Sequence, residues 1–137
     1  MGVYNLERLT FLLVDDNRFV LKILQDVLKT LGAGQVITAE NGVEAIEFLS
    51  AHHGPYGCPV DMIISDLVMA PIDGNLLLKW VRQGKESPNR FMPFIMMSGA
   101  ADVENVEKAR DGGASEFLAK PFSAQTVCNR VLEVVDF

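Results

Sequence analysis

Apolar residues along the chain switch repeatedly between two periods. Residues 10–16, "TFLLVDD", form a continuous apolar run closed by Asp15 and Asp16, the pattern of a short strand buried on both faces. Phe19, Val20, Ile23, Leu24, Val27, Leu28 and Leu31 then follow helical spacing, and Gly32 and Gly34 end that helix. "QVITA" (35–39) predicts a second strand. "NGVEAIEFLSAHH" (41–53) predicts a helix capped by Asn41, and "GPYGCP" (54–59) a loop. "VDMIIS" (60–65) reads as a third strand, "GNLLLKWVRQ" (74–83) as a helix and "GKESPNR" (84–90) as a polar loop. "PFIMMS" (93–98) is a fourth strand, and "DVENVEKARDGG" (102–113) a helix with Asp102 as its cap. "SEFLA" (115–119) is a fifth strand. "SAQTVCNRVLEVV" (123–135) is the last helix, with Val127, Val131, Val134 and Val135 on one face.

Five strands alternating with five helices imply a parallel sheet covered by helices on both faces. The expected architecture is an open, doubly wound α/β sandwich of flavodoxin-like type, in three layers. A length of 137 residues, 49% of them hydrophobic, suits one domain with a real core. That domain is expected over residues 9–137, after a tail of residues 1–8.

Net charge is −6 and no basic stripe is present, which disfavours direct nucleic-acid binding. Cys58 and Cys128 form no CxxC pair and have no histidine at zinc spacing, so both read as reduced thiols. No apolar run approaches the ~20 residues of a membrane helix. The start "MGVYNLERLT" lacks a signal-peptide pattern. It also has Leu6 where a myristoylation motif needs Ser or Thr. The expectation is a cytoplasmic protein that does not engage membranes.

In an open α/β sheet, chemistry collects at the carboxyl ends of the strands. Strand 1 delivers Asp15 and Asp16 there, strand 3 delivers Asp66, strand 4 delivers Ser98 and strand 5 delivers Lys120. Taken singly, each has an ordinary reading. Asp15 and Asp16 suit helix caps, Asp66 a turn residue, Ser98 a loop hydroxyl and Lys120 a solvated lysine. Their joint placement is what points to chemistry. Two carboxylates ~4 Å apart repel by about 4 kcal/mol at an effective dielectric of 20, so three of them call for a cation. Hard oxygen ligands suit Mg²⁺ or Mn²⁺, and a metal would draw a phosphoryl donor. Asp66 is then a candidate nucleophile able to form an aspartyl-phosphate, with Lys120 neutralising the transferring group.

"LLVDDN", "DMIISDLVM…DG", "FIMMSGA" and "EFLAKPF" together resemble response-regulator receiver domains of the chemotaxis-regulator kind, over about residues 9–135. The resemblance implies a strand order of 2-1-3-4-5. It implies that Asp66 is the phosphoacceptor and that Asp15 and Asp16 hold Mg²⁺, one directly and one largely through water. The backbone carbonyl of Val68 would complete the metal's protein ligands. Ser98 resembles the switch hydroxyl, Lys120 the lysine that pairs with the phosphoryl group, and Lys120–Pro121 the family's cis peptide. Phe117 stands where the family carries its switch aromatic, and reads equally as an ordinary strand residue. Trp80 reads as a packing residue of the third helix.

Two departures carry expectations. The segment "MAP" sets Pro71 one place later than the family's Met-Pro, which predicts an altered turn and an intact site. Val68 and Ala100 are apolar where relatives often carry polar groups that position water, which predicts slow autodephosphorylation. The function implied is a single receiver domain in a two-component or phosphorelay pathway, not a turnover enzyme. Its phosphodonor would be a phosphohistidine on a sensor kinase or phosphotransfer protein. Its output would be a downstream protein bound on the face of helix 4, strand 5 and helix 5, with a phosphorylation-dependent homodimer as a further expectation. The rivals are a Mg²⁺-dependent phosphotransferase or phosphatase and a flavodoxin-like FMN binder. Such enzymes typically carry an acid where Val68 stands. "VDDNRF" lacks the Gly/Ser/Thr run that cradles a flavin phosphate.

Overall fold

The computed structural model describes residues 6–51 and 60–135. Its strands are β1 (Thr10–Val14), β2 (Gln35–Ala39), β3 (Met62–Asp66), β4 (Phe94–Ser98) and β5 (Glu116–Ala119). Its helices are α1 (Arg18–Thr30), α2 (Gly42–Ala51), α3 (Gly74–Gln83), α4 (Val103–Asp111) and α5 (Ala124–Val134). All strand pairs are parallel, in the order β2-β1-β3-β4-β5. This is the doubly wound flavodoxin-like sandwich that the alternation implies.

The continuous apolar runs become the central strands because both faces need cover. Every residue of β3 and β4 is buried, whereas β2 and β5, at the two edges, are partly exposed. Successive side chains point to opposite faces, which builds two cores. Leu12, Val14, Ile63, Phe94 and Met96 pack with Leu49 of α2, Leu77 and Val81 of α3 and Ala109 of α4. Phe11, Leu13, Met62, Ile64, Ile95 and Met97 pack with Leu24 and Leu28 of α1 and Val127 and Val131 of α5. Trp80 of α3 packs against the first core.

The stripe on α1 differs from the one its spacing suggests. Leu21, Leu24 and Leu28 are buried, with Val20, Val27 and Leu31 packed at their margin. Phe19 and Ile23 are 81% and 50% exposed. The apolar face of α1 is broader than the contact it makes, and Phe19 and Ile23 lie at its outer margin while the docking on β1 centres on Leu24. Gly32, at φ +93°, takes the left-handed turn that ends α1.

Caps set the other boundaries. Asn41 Oδ1 accepts the Glu44 N–H, and the Glu44 carboxylate accepts the N–H of Glu40, one residue before the cap, a variant of the capping box. Asp73, Asp102 and Ser123 cap α3, α4 and α5. Leu6–Arg8 forms a short 3-10 turn. Leu6 is buried, and its carbonyl accepts from both Leu9 and Gly34. The predicted loop at 54–59, including Cys58, lies outside the described residues, as do the last two residues predicted for the second helix. Cys128, on α5, is a free, half-buried thiol. Among the described residues, no helix is long and apolar enough to cross a membrane.

Candidate functional site

The carboxyl ends of β1, β3, β4 and β5 meet at one edge of the sheet. Asp15 follows β1, and its backbone N–H continues the ladder to the Ala39 carbonyl at 3.2 Å. Its side chain is fully buried, with Oδ1 accepting from the Asn17 N–H at 2.9 Å. Asp16 is exposed beside it. Capping of α1 falls to Asn17, whose Oδ1 accepts from Phe19 and Val20 at 2.9 and 3.3 Å. The two aspartates are therefore not spent as caps.

Asp66 is the last residue of β3, held between Val14–Ser65 pairing on one side and its own pairing with Met97 on the other. It is only 6% exposed, and Oδ1 accepts from the Leu67 N–H at 3.0 Å. Lys120, just past β5, donates its backbone N–H to Ser98 at 2.9 Å. Its ammonium lies 2.9 Å from Asp15 Oδ2 and 3.2 Å from Asp66 Oδ1. One oxygen from each of Asp15, Asp16 and Asp66 lies within 4.8 Å of the others.

These groups shift one another's protonation. Burial, then the charge of Asp15, pushes the Asp66 carboxyl above its ordinary value, while Lys120 and the Leu67 N–H pull it back. Burial works against the charge on Lys120. Hydrogen bonding to Asp15 and the charges of Asp15 and Asp66 outweigh it and hold the ammonium above its usual range.

Three carboxylates against one ammonium leave a surplus of negative charge. At 4.8 Å a carboxylate pair repels by about 3.5 kcal/mol at an effective dielectric of 20. A hard divalent cation relieves that surplus through oxygen donors. The donor set fits Mg²⁺ or Mn²⁺, and offers nothing to a softer, thiolate-seeking metal.

The remaining sequence-selected residues sit as follows. Ser98 ends β4, is buried, and its Oγ accepts from the Ala100 N–H at 2.9 Å. Val68, two residues past Asp66, is 68% exposed. The Lys120–Pro121 peptide is cis. Phe117 is not gathered into the carboxylate cluster. It lies half-buried against the first core, beside a cavity of about 150 Å³ lined by Val106, Ala109, Arg110 and Ala114. Arg130 of α5 donates Nε–H to the Phe117 carbonyl at 3.2 Å and pairs with Glu133 at 3.3 Å.

Two features went unread in the sequence. Ala70–Pro71 is a second cis peptide, in the turn where the shifted proline predicts an alteration. Gly74, the glycine that closes the "DMIISDLVM…DG" motif, opens α3 directly against the backbone of Asp66, a contact its place in the motif did not reveal and one where any Cβ would overlap Asp66. The available signal was a glycine directly after a capping aspartate, where a strong helix former is the ordinary choice.

Residues 11–132 match the family model described as "Response regulator receiver domain". The chain is 31% identical over 124 residues to a "Chemotaxis protein CheY homolog" of Campylobacter jejuni subsp. jejuni, covering 90% of this chain and 90% of that protein. It is 34% identical over 124 residues to a "Probable transcriptional regulator ycf27" of Cyanidium caldarium. That match covers 90% of this chain and spans 45% of the relative's length. Among solved structures, the CheX–CheY–BeF3–Mg²⁺ complex from Borrelia burgdorferi superposes with a TM-score of 0.82 at 26% identity, over 94% of this chain and 90% of that one. A family match running from β1 into α5, with the matching strand order and a buried aspartate at the end of β3, leads to one conclusion: the chain belongs to the response regulator receiver domains of two-component signalling systems.

Proposed function

We propose that Asp66 is the residue on which this receiver domain is phosphorylated, and that Lys120, Asp15 and Asp16 are its working partners. Phosphorylation on aspartate is a general property of the family. The observation that carries the assignment is the Lys120 ammonium spanning Asp15 and Asp66 at 2.9 and 3.2 Å. It sets a positive charge against two buried carboxylates at the mouth of the sheet, where a phosphoryl group would meet it.

The phosphodonor is a phosphohistidine on a sensor histidine kinase or a histidine phosphotransfer protein. An Asp66 oxygen attacks phosphorus, the phosphorus–nitrogen bond breaks, and the departing imidazole takes a proton from solvent. Asp15, Asp16, Asp66 and the Val68 carbonyl would hold Mg²⁺ or Mn²⁺. When bound, the cation supplies Lewis-acid neutralisation of phosphoryl oxygens. Lys120 exchanges a carboxylate contact for a phosphoryl oxygen. Among the described residues, Ser98 Oγ accepts from the Ala100 N–H and donates to none, so its hydroxyl hydrogen is available to donate to that oxygen. Phe117 turns into the cavity beside α4, and the face of α4, β5 and α5 changes its affinity for a downstream protein or a second copy. The protein acts in the cytoplasm as a signalling domain and turns over no external substrate.

The test is intact mass after incubation with Mg²⁺ and a small acyl-phosphate. A single phosphoryl adduct is expected on the parent, absent from Asp66→Asn and from a chelated sample. An undiminished adduct on Asp66→Asn would overturn the assignment.

A further inference from the structure

Gly74 lies eight residues after Asp66 in sequence but against it in space. A Cβ at Gly74 would overlap the Asp66 carbonyl oxygen, and would come within 3.0 Å of the Leu67 Cα and 2.6 Å of the Met96 sulfur. The first two are backbone atoms with no rotamer to yield. The Gly74 N–H also donates to the Leu67 carbonyl at 2.8 Å. The Leu67 N–H in turn bonds both the Met97 carbonyl at 2.8 Å and Asp66 Oδ1 at 3.0 Å. A continuous chain of contacts thus runs from the first residue of α3 through Leu67 to the reactive carboxylate.

We infer that Gly74 is a positioning residue for the phosphoryl-transfer step: its missing side chain lets α3 seat against β3 and so fixes where the Asp66 carboxylate points. This rests on the reading of Asp66 as the phosphoacceptor. The methyl of Gly74→Ala falls about 1 Å short of ordinary contact with the Asp66 carbonyl, so α3 and the Asp66–Leu67 backbone must separate by a similar distance. A misplacement of about 1 Å can cost a hundredfold in rate.

The experiment measures adduct formation by intact mass over a range of acyl-phosphate concentrations with saturating Mg²⁺. Rates are expressed per folded molecule, with folding followed by circular dichroism. Gly74→Ala is expected to lower the limiting rate about a hundredfold while donor half-saturation stays within about twofold. Gly84→Ala is the matched control. Its Cβ meets the Trp80 carbonyl at 2.6 Å, a comparable backbone clash at the far end of the same helix, and its rate per folded molecule should equal the parent's. Because Gly74→Ala can compromise folding, the double variant Gly74→Ala/Met96→Ala is read against Met96→Ala alone. It clears the sulfur and leaves both backbone clashes. A folded double variant that remains at least tenfold slow supports the inference, and one that recovers the Met96→Ala rate overturns it. So does a Gly74→Ala protein as fast as the parent. Failure of the acceptor reading looks different: the parent gives no adduct, or Asp66→Asn gives one.

Discussion

Replacing Lys120 by Met removes the ammonium and keeps an aliphatic stem of similar volume. The two ion pairs it breaks lie at 2.9 and 3.2 Å, each attractive by roughly 5–6 kcal/mol gross at an effective dielectric of about 20. The net loss is smaller, because the lysine no longer has to be desolvated. Breaking a buried ion pair costs about 3–5 kcal/mol, and a lysine side chain still 21% exposed places this site at the lower end. For a domain of this size, about 3 kcal/mol corresponds to roughly 10 °C in Tm. The residual carboxylate repulsion can be relieved in a second way, by a divalent cation. A ligand at a hundred times its dissociation constant contributes about 2.7 kcal/mol, and the variant, freed of a competing ammonium, binds the cation more tightly than the parent. Thermal unfolding at pH 7 should therefore show a gap of about 10 °C in chelator that narrows in saturating Mg²⁺ by about 1.4 kcal/mol, or roughly 5 °C, for each tenfold by which the variant binds the cation more tightly. The gap should also narrow on acidification as the Asp66 carboxyl, which Lys120 draws towards its ionised form, protonates. A gap below about 2 °C in chelator, or one indifferent to Mg²⁺, would refute the charge balance assigned to this site.

Val68→Asn should shorten the life of the phosphorylated domain, because a polar side chain at an exposed position beside Asp66 can orient an attacking water; the adduct's decay by mass decides it, and equal half-lives count against the idea. Asp66→Asn should stabilise the fold in a pH-dependent way. The folded-state pKa of Asp66 lies above its ordinary 3.8, so the parent loses stability as pH rises from there through the folded value, whereas Asn is indifferent. The variant's advantage is thus absent in acid, opens across that window and stays level at neutral pH; denaturant titrations that show no such opening contradict it. Arg82→Ala should cost about 1–2 kcal/mol. Its guanidinium donates to the Gly113 carbonyl at 3.2 and 2.8 Å and to the Arg90 carbonyl at 2.9 Å, fastening α3 to the turn before β5 and the segment before β4. An unchanged urea midpoint would show that water replaces those bonds without loss.

The central strands were legible because burial on both faces writes itself directly into sequence. "FLLV", "MII" and "FIMM" have no polar break, and at that length, bounded by turn residues, they suit strands covered on both faces. The strand-end residues Asp15, Asp16, Asp66, Ser98 and Lys120 were legible for a related reason: polar groups closing apolar runs stand out. What the sequence concealed depends on contacts between distant segments. Phe19 and Leu21 are equally apolar, and only the docking of α1 on β1 exposes one and buries the other. Asn17, rather than either aspartate before it, caps α1 because Asp15 is drawn inward by Lys120, 105 residues away. The close approach of Gly74 to Asp66 is a matter of how near α3 comes to β3. Leu6 reads as part of a tail, yet the Gly34 N–H bonds its carbonyl, and that partner lies across the whole of α1.

Asp66 closes a strand that has a hydrogen-bonded neighbour on each side and core on both faces. A charge arriving there strikes an anvil, because nothing beneath it can give. The exposed positions start just beyond, at Val68 and Ala100, where a side chain can change without disturbing either core. Support and access are thereby given to neighbouring residues of one small molecule. Substitutions at exposed rim positions such as Val68 can alter the lifetime of the charged state while the melting temperature holds, whereas substitutions in the charged cluster, such as Lys120→Met, move both.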